Sequence, residues 1–423
     1  MIPTVDRVKK ENLKNTIEKL SSYGNRWIGR VGERLTSSYI MDIFNELGMD
    51  EVLTQEFQVI DYVPINCSLL LTSPIKEEVV CEPLQFTECS QVEGEIVFLG
   101  EFENHSESLN LPTDNIKDKI VLMVSDTPAF YINELVKKKA VGLIVATDAP
   151  NGLIRSLAGK TYPPPLNDYI DTWKTPIPGV IISKKSLYRL LSLLSLGKVK
   201  VSIEHKADYR TVTTRNVIGV LSGLNKNNNQ EIILGAHYDS QMKGLGVWDN
   251  LTGISVLIEL ARIFCLNKNN KRNIVFSAFG AEEVGLWGST LYVENRKREI
   301  KENCIAMFCL DAVSNVFSNK KSLWSEGKLK DFIIERSIRY GFRIDNIHPL
   351  DLSYSDYYPF AVNEVPSAML WENPPTHPYY HTEEDTIEYI NFDKLASISN
   401  FILALINEIA YNHTLNFSKN KES

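Results

Sequence analysis

Long apolar runs are what this chain most lacks. No stretch of about 18 apolar residues occurs, the length that would read as a membrane-spanning helix. The oiliest segment, Phe401 to Ala410, is interrupted by Asn407 and Glu408. Cysteine is scarce as well, six in 423 residues and never as Cys-x-x-Cys, so neither a disulfide framework nor a cysteine zinc site is expected. A basic excess is also missing. With 45 Lys and Arg against 53 Asp and Glu the net charge is -8, which disfavours a nucleic-acid partner, since that requires a basic face. The start, Met1-Ile2-Pro3-Thr4-Val5-Asp6, is polar and runs into Lys9 and Lys10 without an apolar signal-peptide core. The expected compartment is the cytoplasm if Met1 is the native start, or the exterior if an export signal has been removed. What remains is an ordinary globular composition, 43% hydrophobic and 23% charged, sized for one large domain or two ordinary ones. Five Asn-x-Ser/Thr triplets are read as chance in an Asn-rich chain.

Three textures follow one another. The first 60 residues read as helical: Leu13, Ile17 and Leu20 recur at helical spacing, as do Leu35, Tyr39, Ile40, Ile43, Phe44 and Leu47, stopped by Gly48. From about Tyr62 to His205, short apolar runs (Cys67–Leu71, Ile96–Leu99, Ile120–Val124, Val141–Val145, Val180–Ile182) alternate with turn residues, including Pro163-Pro164-Pro165, and one helix-like stretch spans Phe130 to Lys139. A small β-rich domain is expected there. From Val217 onward strands and helices alternate: Glu231–Gly235, Asn273–Phe279, Cys304–Leu310 and Ala368–Trp371 as buried strands, Gly253–Phe264 as a helix apolar nearly all round, and a closing amphipathic helix from Phe392 to Ile409. That rhythm predicts an α/β fold, a mostly parallel central sheet with helices on both faces. The expected division is 1–61, 62–206 and 207–423, the first and last parts forming one domain around the middle one.

Ligands of an open α/β sheet collect beyond the carboxyl ends of its strands. The residues found there are Ala236-His237-Tyr238-Asp239-Ser240, Gly280-Ala281-Glu282-Glu283 and Asp311, with Tyr379-Tyr380-His381-Thr382 and Asp385-Thr386 near the last strand. Each has an ordinary reading: a loop histidine, a solvated charge run, and for Asp249-Asn250 a helix start. Glu282-Glu283, however, sits between Val275–Phe279 and Val284–Gly288, an apolar setting in which a bound cation would hold both carboxylates ionised. Mixed histidine and carboxylate ligation without thiolate suits zinc in a hydrolytic site, with cobalt or manganese as substitutes. Two ions about 3.5–4 Å apart need about five such residues.

Gly235-Ala236-His237-Tyr238-Asp239-Ser240, Trp248-Asp249-Asn250 with Gly253, Ala281-Glu282-Glu283-Val284-Gly285-Leu286-Trp287-Gly288-Ser289, Leu310-Asp311, and Tyr380-His381-Thr382 with Asp385-Thr386 follow in that order. In this order and spacing, throughout 207–411, the chain resembles the co-catalytic zinc exopeptidases of metallopeptidase family twenty-eight, which include bacterial secreted aminopeptidases, yeast aminopeptidase Y and glutamate carboxypeptidase II. The resemblance implies a zinc exopeptidase fold and two Zn2+ ions per chain. Asp249 would bridge them, His237 and Asp311 would complete one site, and Glu283 and His381 the other. Asp239 would orient His237. Glu282 would be the general base, moving a proton from the attacking water to the leaving amine. Tyr380 would help to stabilise the tetrahedral oxyanion. The implied partner is a peptide substrate; oligomeric state stays open.

Residues 62–206 resemble the protease-associated domain often inserted in this family. The resemblance rests on Ile116–Leu122, Lys137–Val145 and Ile177–Ser183, and implies a lid that shapes substrate length. Two departures stand out: Trp248 precedes the bridging aspartate where relatives carry small residues, and is expected to reshape the substrate pocket, and Ser355-Asp356-Tyr357 replaces Ser-Asp-His. No arginine-rich patch of the acidic-dipeptide carboxypeptidases is recognisable, which favours an aminopeptidase. The alternatives are a carboxypeptidase or dipeptidase on the same site, a glutaminyl-cyclase-like transferase with one zinc, and a non-catalytic receptor-like relative. His105, His205, His348, His377 and His413 are read as structural or exposed.

Overall fold

The computed structural model describes residues 7–102, 115–159, 175–225, 229–351, 353–372 and 377–418. Met1–Asp6, His105 and Pro163-Pro164-Pro165 lie outside them. The chain divides into two compact units, one of Met1–Val59, Thr213–His377 and Glu383–Ser423, the other of Ile60–Val212 and Pro378–Thr382.

In the first unit, the strands run in the order Asn346–His348, Ser322–Ser325, Ser367–Trp371, Cys304–Cys309, Glu231–His237, Asn273–Phe279, and the last residues of Lys200–Leu221. The four central strands pair in parallel; Ser322–Ser325 with Ser367–Trp371, and Asn273–Phe279 with Val217–Leu221, pair antiparallel. The sheet is thus mixed, parallel where it is deepest. Every residue of Glu231–His237 and Cys304–Cys309 is buried, as strands covered on both faces must be. One face carries Ile233, Val275, Met307 and Met369 against Tyr292, Val293, Ile300 and Phe360 from helices Trp287–Asn295, Lys297–Asn303 and Tyr358–Val362. The other is covered by Thr252–Leu266 and Phe392–Tyr411.

Helix Lys10–Ser21 buries Leu13, Thr16, Ile17 and Leu20 and packs on Thr252–Leu266; each such apolar side chain contributes about 1.5–3 kcal/mol when fully buried. No side chain of its own caps that helix. Instead Glu259, in the partner helix, accepts from Lys9 N at 2.8 Å and Asn12 Nδ2 at 2.9 Å, satisfying an otherwise orphaned amide. Helix Val31–Glu46 ends at Gly48, whose φ is +66°. Beyond it the expectation of helix fails: a strand begins at Glu51 and runs to Ser73. Val52, Phe57 and Val59 bring extended-chain preference, and burial there follows no helical period.

The second unit has a parallel centre, Gln91–Glu101, Ile120–Val124, Gly142–Thr147 and Gly179–Ser183, flanked by antiparallel Lys200–Glu204 and Cys81–Pro83. Among the described residues two α-helices make it α/β where a β-rich body was expected. Leu187, Leu190 and Leu193 of Lys184–Leu194 pack on one apolar cluster with Ile120, Leu122, Ile144 and Val180; Tyr131, Ile132 and Leu135 of Ala129–Lys137 pack on another with Val121, Leu143 and Ile181. Ser183 caps the first helix by accepting from Ser186 N at 3.2 Å. Among the described residues no helix is long and apolar enough to cross a membrane.

Candidate metal centre

Strand register brings the first ligand-type residues to one edge. His237 lies opposite Phe279, so Gly280 to Glu283 follow directly beside it. Cys309 lies opposite Gly235, and Leu310 N donates to Gly235 O at 2.8 Å, which carries Asp311 to the level of His237. The fourth group comes from the turn Val247–Leu251. There Trp248 N and Asp249 N donate to the carboxylate of Asp385 at 2.9 and 3.3 Å, and Asn250 Nδ2 donates to Leu310 O at 2.9 Å. Asn250 Oδ1 accepts from Gly253 N and Ala312 N. Its fully buried amide leaves no room for a glycan on that Asn-x-Thr triplet. Gly253 is required here, because a Cβ would stand 2.1 Å from Leu310 O.

The side chains then meet. His237 Nε2 is 3.0 Å from Asp249 Oδ1, 3.4 Å from Asp311 Oδ1 and 4.0 Å from Glu282 Oε2. His237, Asp249 and Glu283 each offer a ligand atom within 4.8 Å of the others, and so do His237, Glu282 and Asp311. Asp239 does more than face His237 Nδ1 at 3.5 Å: its two oxygens accept from Glu282 N and Glu283 N at 3.1 Å each. It thereby fixes the turn carrying both glutamates, in which Ala281 has φ +59°. Gln241 Nε2 donates to Glu283 Oε2 at 2.8 Å, and Ser355 Oγ to Asp311 Oδ2 at 2.5 Å. Neither Gln241 nor Ser355's neighbour Asp356 is signalled by the sequence as part of the centre. Asp356 is fully buried, and burial, opposed by His237, pushes its carboxyl up to about 7.

Charge is concentrated. Two unit charges 4 Å apart interact by about 4 kcal/mol at an effective dielectric of about 20. Burial raises the Glu282 carboxyl well above the ordinary range, with Glu283 adding to it and His237 opposing. Burial works against a charged His237, yet Glu282 and Asp311 outweigh it and raise the imidazole. Asp311 Oδ1 is buried with no donor. One imidazole and four carboxylates, no thiolate, and an acceptor lacking its donor are the surroundings a divalent cation with nitrogen and oxygen ligands fits.

Tyr380 and His381 belong to the second unit. There their rings stack at 3.6 Å, Arg155 lies over Tyr380 at 5.8 Å, and His381 O accepts from Ser156 N at 2.8 Å. Trp248 does not line an open pocket: it is fully buried and stacks on His377, itself fully buried, at 5.0 Å. Tyr357 is core. Of the remaining histidines, His205 is buried beside Tyr62 Oη at 2.7 Å, His348 stacks on Trp324, and His413 is exposed.

Residues 216–406 match the family model described as Peptidase family M28. Over that segment the chain resembles the family M28 peptidases. The chain is 32% identical to aminopeptidase YwaD of Bacillus subtilis over 205 residues, covering 46% of this chain and 45% of that protein. It thus spans about half the length of the curated relatives it matches. In three dimensions it is similar to an aminopeptidase from Aneurinibacillus sp. strain AM-1, 26% identical, with a TM-score of 0.74 over 98% of this chain and 97% of the other. BSAP, a zinc aminopeptidase from Bacillus subtilis, shares the fold at 22% identity, TM-score 0.72, over 99% and 98% of the two chains. The M28 segment holds all the residues grouped above, while the helices Lys10–Ser21 and Val31–Glu46 precede it.

Proposed function

We propose that this chain is a zinc aminopeptidase that removes amino-terminal residues from peptides. The observation that carries the reading is the buried group of His237, Asp249, Glu282, Glu283 and Asp311 at one sheet edge. The aminopeptidase names of its relatives support it. Asp249 is assigned to both ions, His237 and Asp311 to one, Glu283 to the other. His381 as fifth ligand and Tyr380 as oxyanion partner rest on the motif Tyr380-His381-Thr382 alone. Two zinc ions, with cobalt or manganese as substitutes, would polarise the scissile carbonyl and acidify the attacking water. Glu282, the residue whose amide Asp239 holds, would accept the proton of that water and return it to the leaving amine. We read the unit Ile60–Val212 as a protease-associated domain that limits substrate length, for which kcat/KM on full-chain protein should fall as peptides lengthen.

The test is turnover of aminoacyl-anilides and of free and amino-blocked dipeptides, with zinc, with chelator and with Glu282→Gln. Chelator-sensitive cleavage of free substrates alone is expected, with Glu282→Gln losing about 10²–10⁴-fold in kcat while keeping its zinc. Cleavage of blocked substrates from the carboxyl end would replace this reading with that of a carboxypeptidase.

A further inference from the structure

Asn25 and Arg26 lie between the first two helices, outside the M28 segment, yet they hold the loop that joins His237 to Asp249. The Arg26 side chain is fully buried and donates to three carbonyls at the two ends of that loop: from Nε to Tyr238 O at 2.8 Å, from Nη1 to Leu245 O, and from Nη2 to Gly246 O at 2.9 Å. Asn25 Nδ2 donates to the middle of the loop, to Gln241 O and Gly244 O, both at 2.8 Å. Arg26 N donates to Ser240 Oγ at 3.1 Å. Gly246 lets the chain turn, with φ +54°, directly under the guanidinium.

The consequences reach the centre on two sides. Tyr238 follows His237, and Gly246 precedes the turn bearing Asp249, so one planar fork sets the separation of two residues whose side chains meet at 3.0 Å. Gln241, whose carbonyl Asn25 fixes, donates to Glu283. We infer that Asn25 and Arg26 are positioning residues for the metal centre: they set the His237–Asp249 spacing and the aim of Glu283, so that metal retention depends on a dipeptide more than 200 residues upstream. The inference rests on the zinc reading above. A lysine can supply charge but not three donors in a fixed fork. A purely electrostatic role would leave zinc affinity unchanged in Arg26→Lys, which keeps the charge.

The experiment is zinc affinity by chelator competition, with melting temperature in parallel, on full-length wild type, Arg26→Lys, Asn25→Ala and the control Arg272→Lys. Arg272 is equally buried and donates to Ile409 O, Asn412 O, His413 O and Leu415 O, away from the centre. Expected is a zinc Kd raised at least tenfold in Arg26→Lys and Asn25→Ala, and within twofold of wild type in Arg272→Lys although it too melts earlier. Wild-type affinity in both clamp variants overturns the inference, and so does an equal loss in the control. If Arg26→Lys does not fold, Asn25→Ala decides alone. Wild type that binds no zinc overturns the metallopeptidase reading itself, a result distinct from either.

Discussion

Asp239 has two oxygens, and both are occupied by the amides of Glu282 and Glu283. An asparagine there offers one acceptor and turns an NH2 towards the second amide. Asp239→Asn is therefore expected to weaken zinc binding about 10–100-fold, the usual cost of losing support behind a ligand, even though it can still face His237. Chelator competition measures this. Had Asp239 only oriented His237, the turn at Ala281 would be untouched; hydrogen exchange at Glu282 and Glu283 distinguishes the two, and faster exchange in the variant is the expected outcome. At this scale, the ligand-type residues His237, Glu282, Glu283 and Asp311 are legible because each follows directly on a buried apolar run. Gln241 and Asp356 are not, because nothing local distinguishes a glutamine or aspartate that faces a carboxylate from one that faces water.

Between elements, close approach sets the tolerances. Gly253 lies in the first turn of the helix Thr252–Leu266, against Leu310 O and the Asn250 amide, so Gly253→Ala must push strand and turn apart. A loss at the upper end of about 1–3 kcal/mol is expected, read as a lower urea midpoint, together with lower zinc content because Asp249 and Asp311 sit on either side. Helices Gly327–Tyr340 and Phe392–Tyr411 are joined by Arg336, which donates to Glu408 at 2.8 and 2.5 Å with both side chains largely shielded. The Arg336 hydrogen bond holds the Glu408 carboxyl below its ordinary range. The unfolded value is about 4.3, so this pair stabilises fully above that pH and the contribution disappears as pH falls through the lower folded value. Glu408→Gln should therefore cost about 1–3 kcal/mol at pH 7 and less as the pH is lowered below about 4.3, measured by urea unfolding of both proteins at each pH. Strands and helices with strong periods are legible element by element; the helix Lys184–Leu194, with leucines at 187, 190, 191, 193 and 194 behind a capping serine, carries a signal that the turn-rich texture around it obscured. The strand from Glu51 was hidden by the helix before it.

For the whole molecule, a bound ligand that the unfolded chain does not hold adds stability through mass action. Zinc at about 100 times its Kd contributes about 2.7 kcal/mol, which at about 2–4 °C per kcal/mol for 150–250 residues predicts a fall of about 5–10 °C on chelation. Calorimetry with and without chelator checks it; an unchanged melting temperature would show that the carboxylate cluster does not need a cation.

Local order determined the alternation of strand and helix after Val217 and the placing of histidine and carboxylates just past strand ends, since side-chain period and strand termination are short-range properties. Which of those residues meet, at what spacing, and what holds them there was decided only in three dimensions. Arg26 reaches Tyr238 and Gly246 across 212 and 220 residues, and Asp385 reaches Trp248 across 137. Such pairs leave no local trace, because a buried donor is satisfied by whichever carbonyl the packed sheet brings to it.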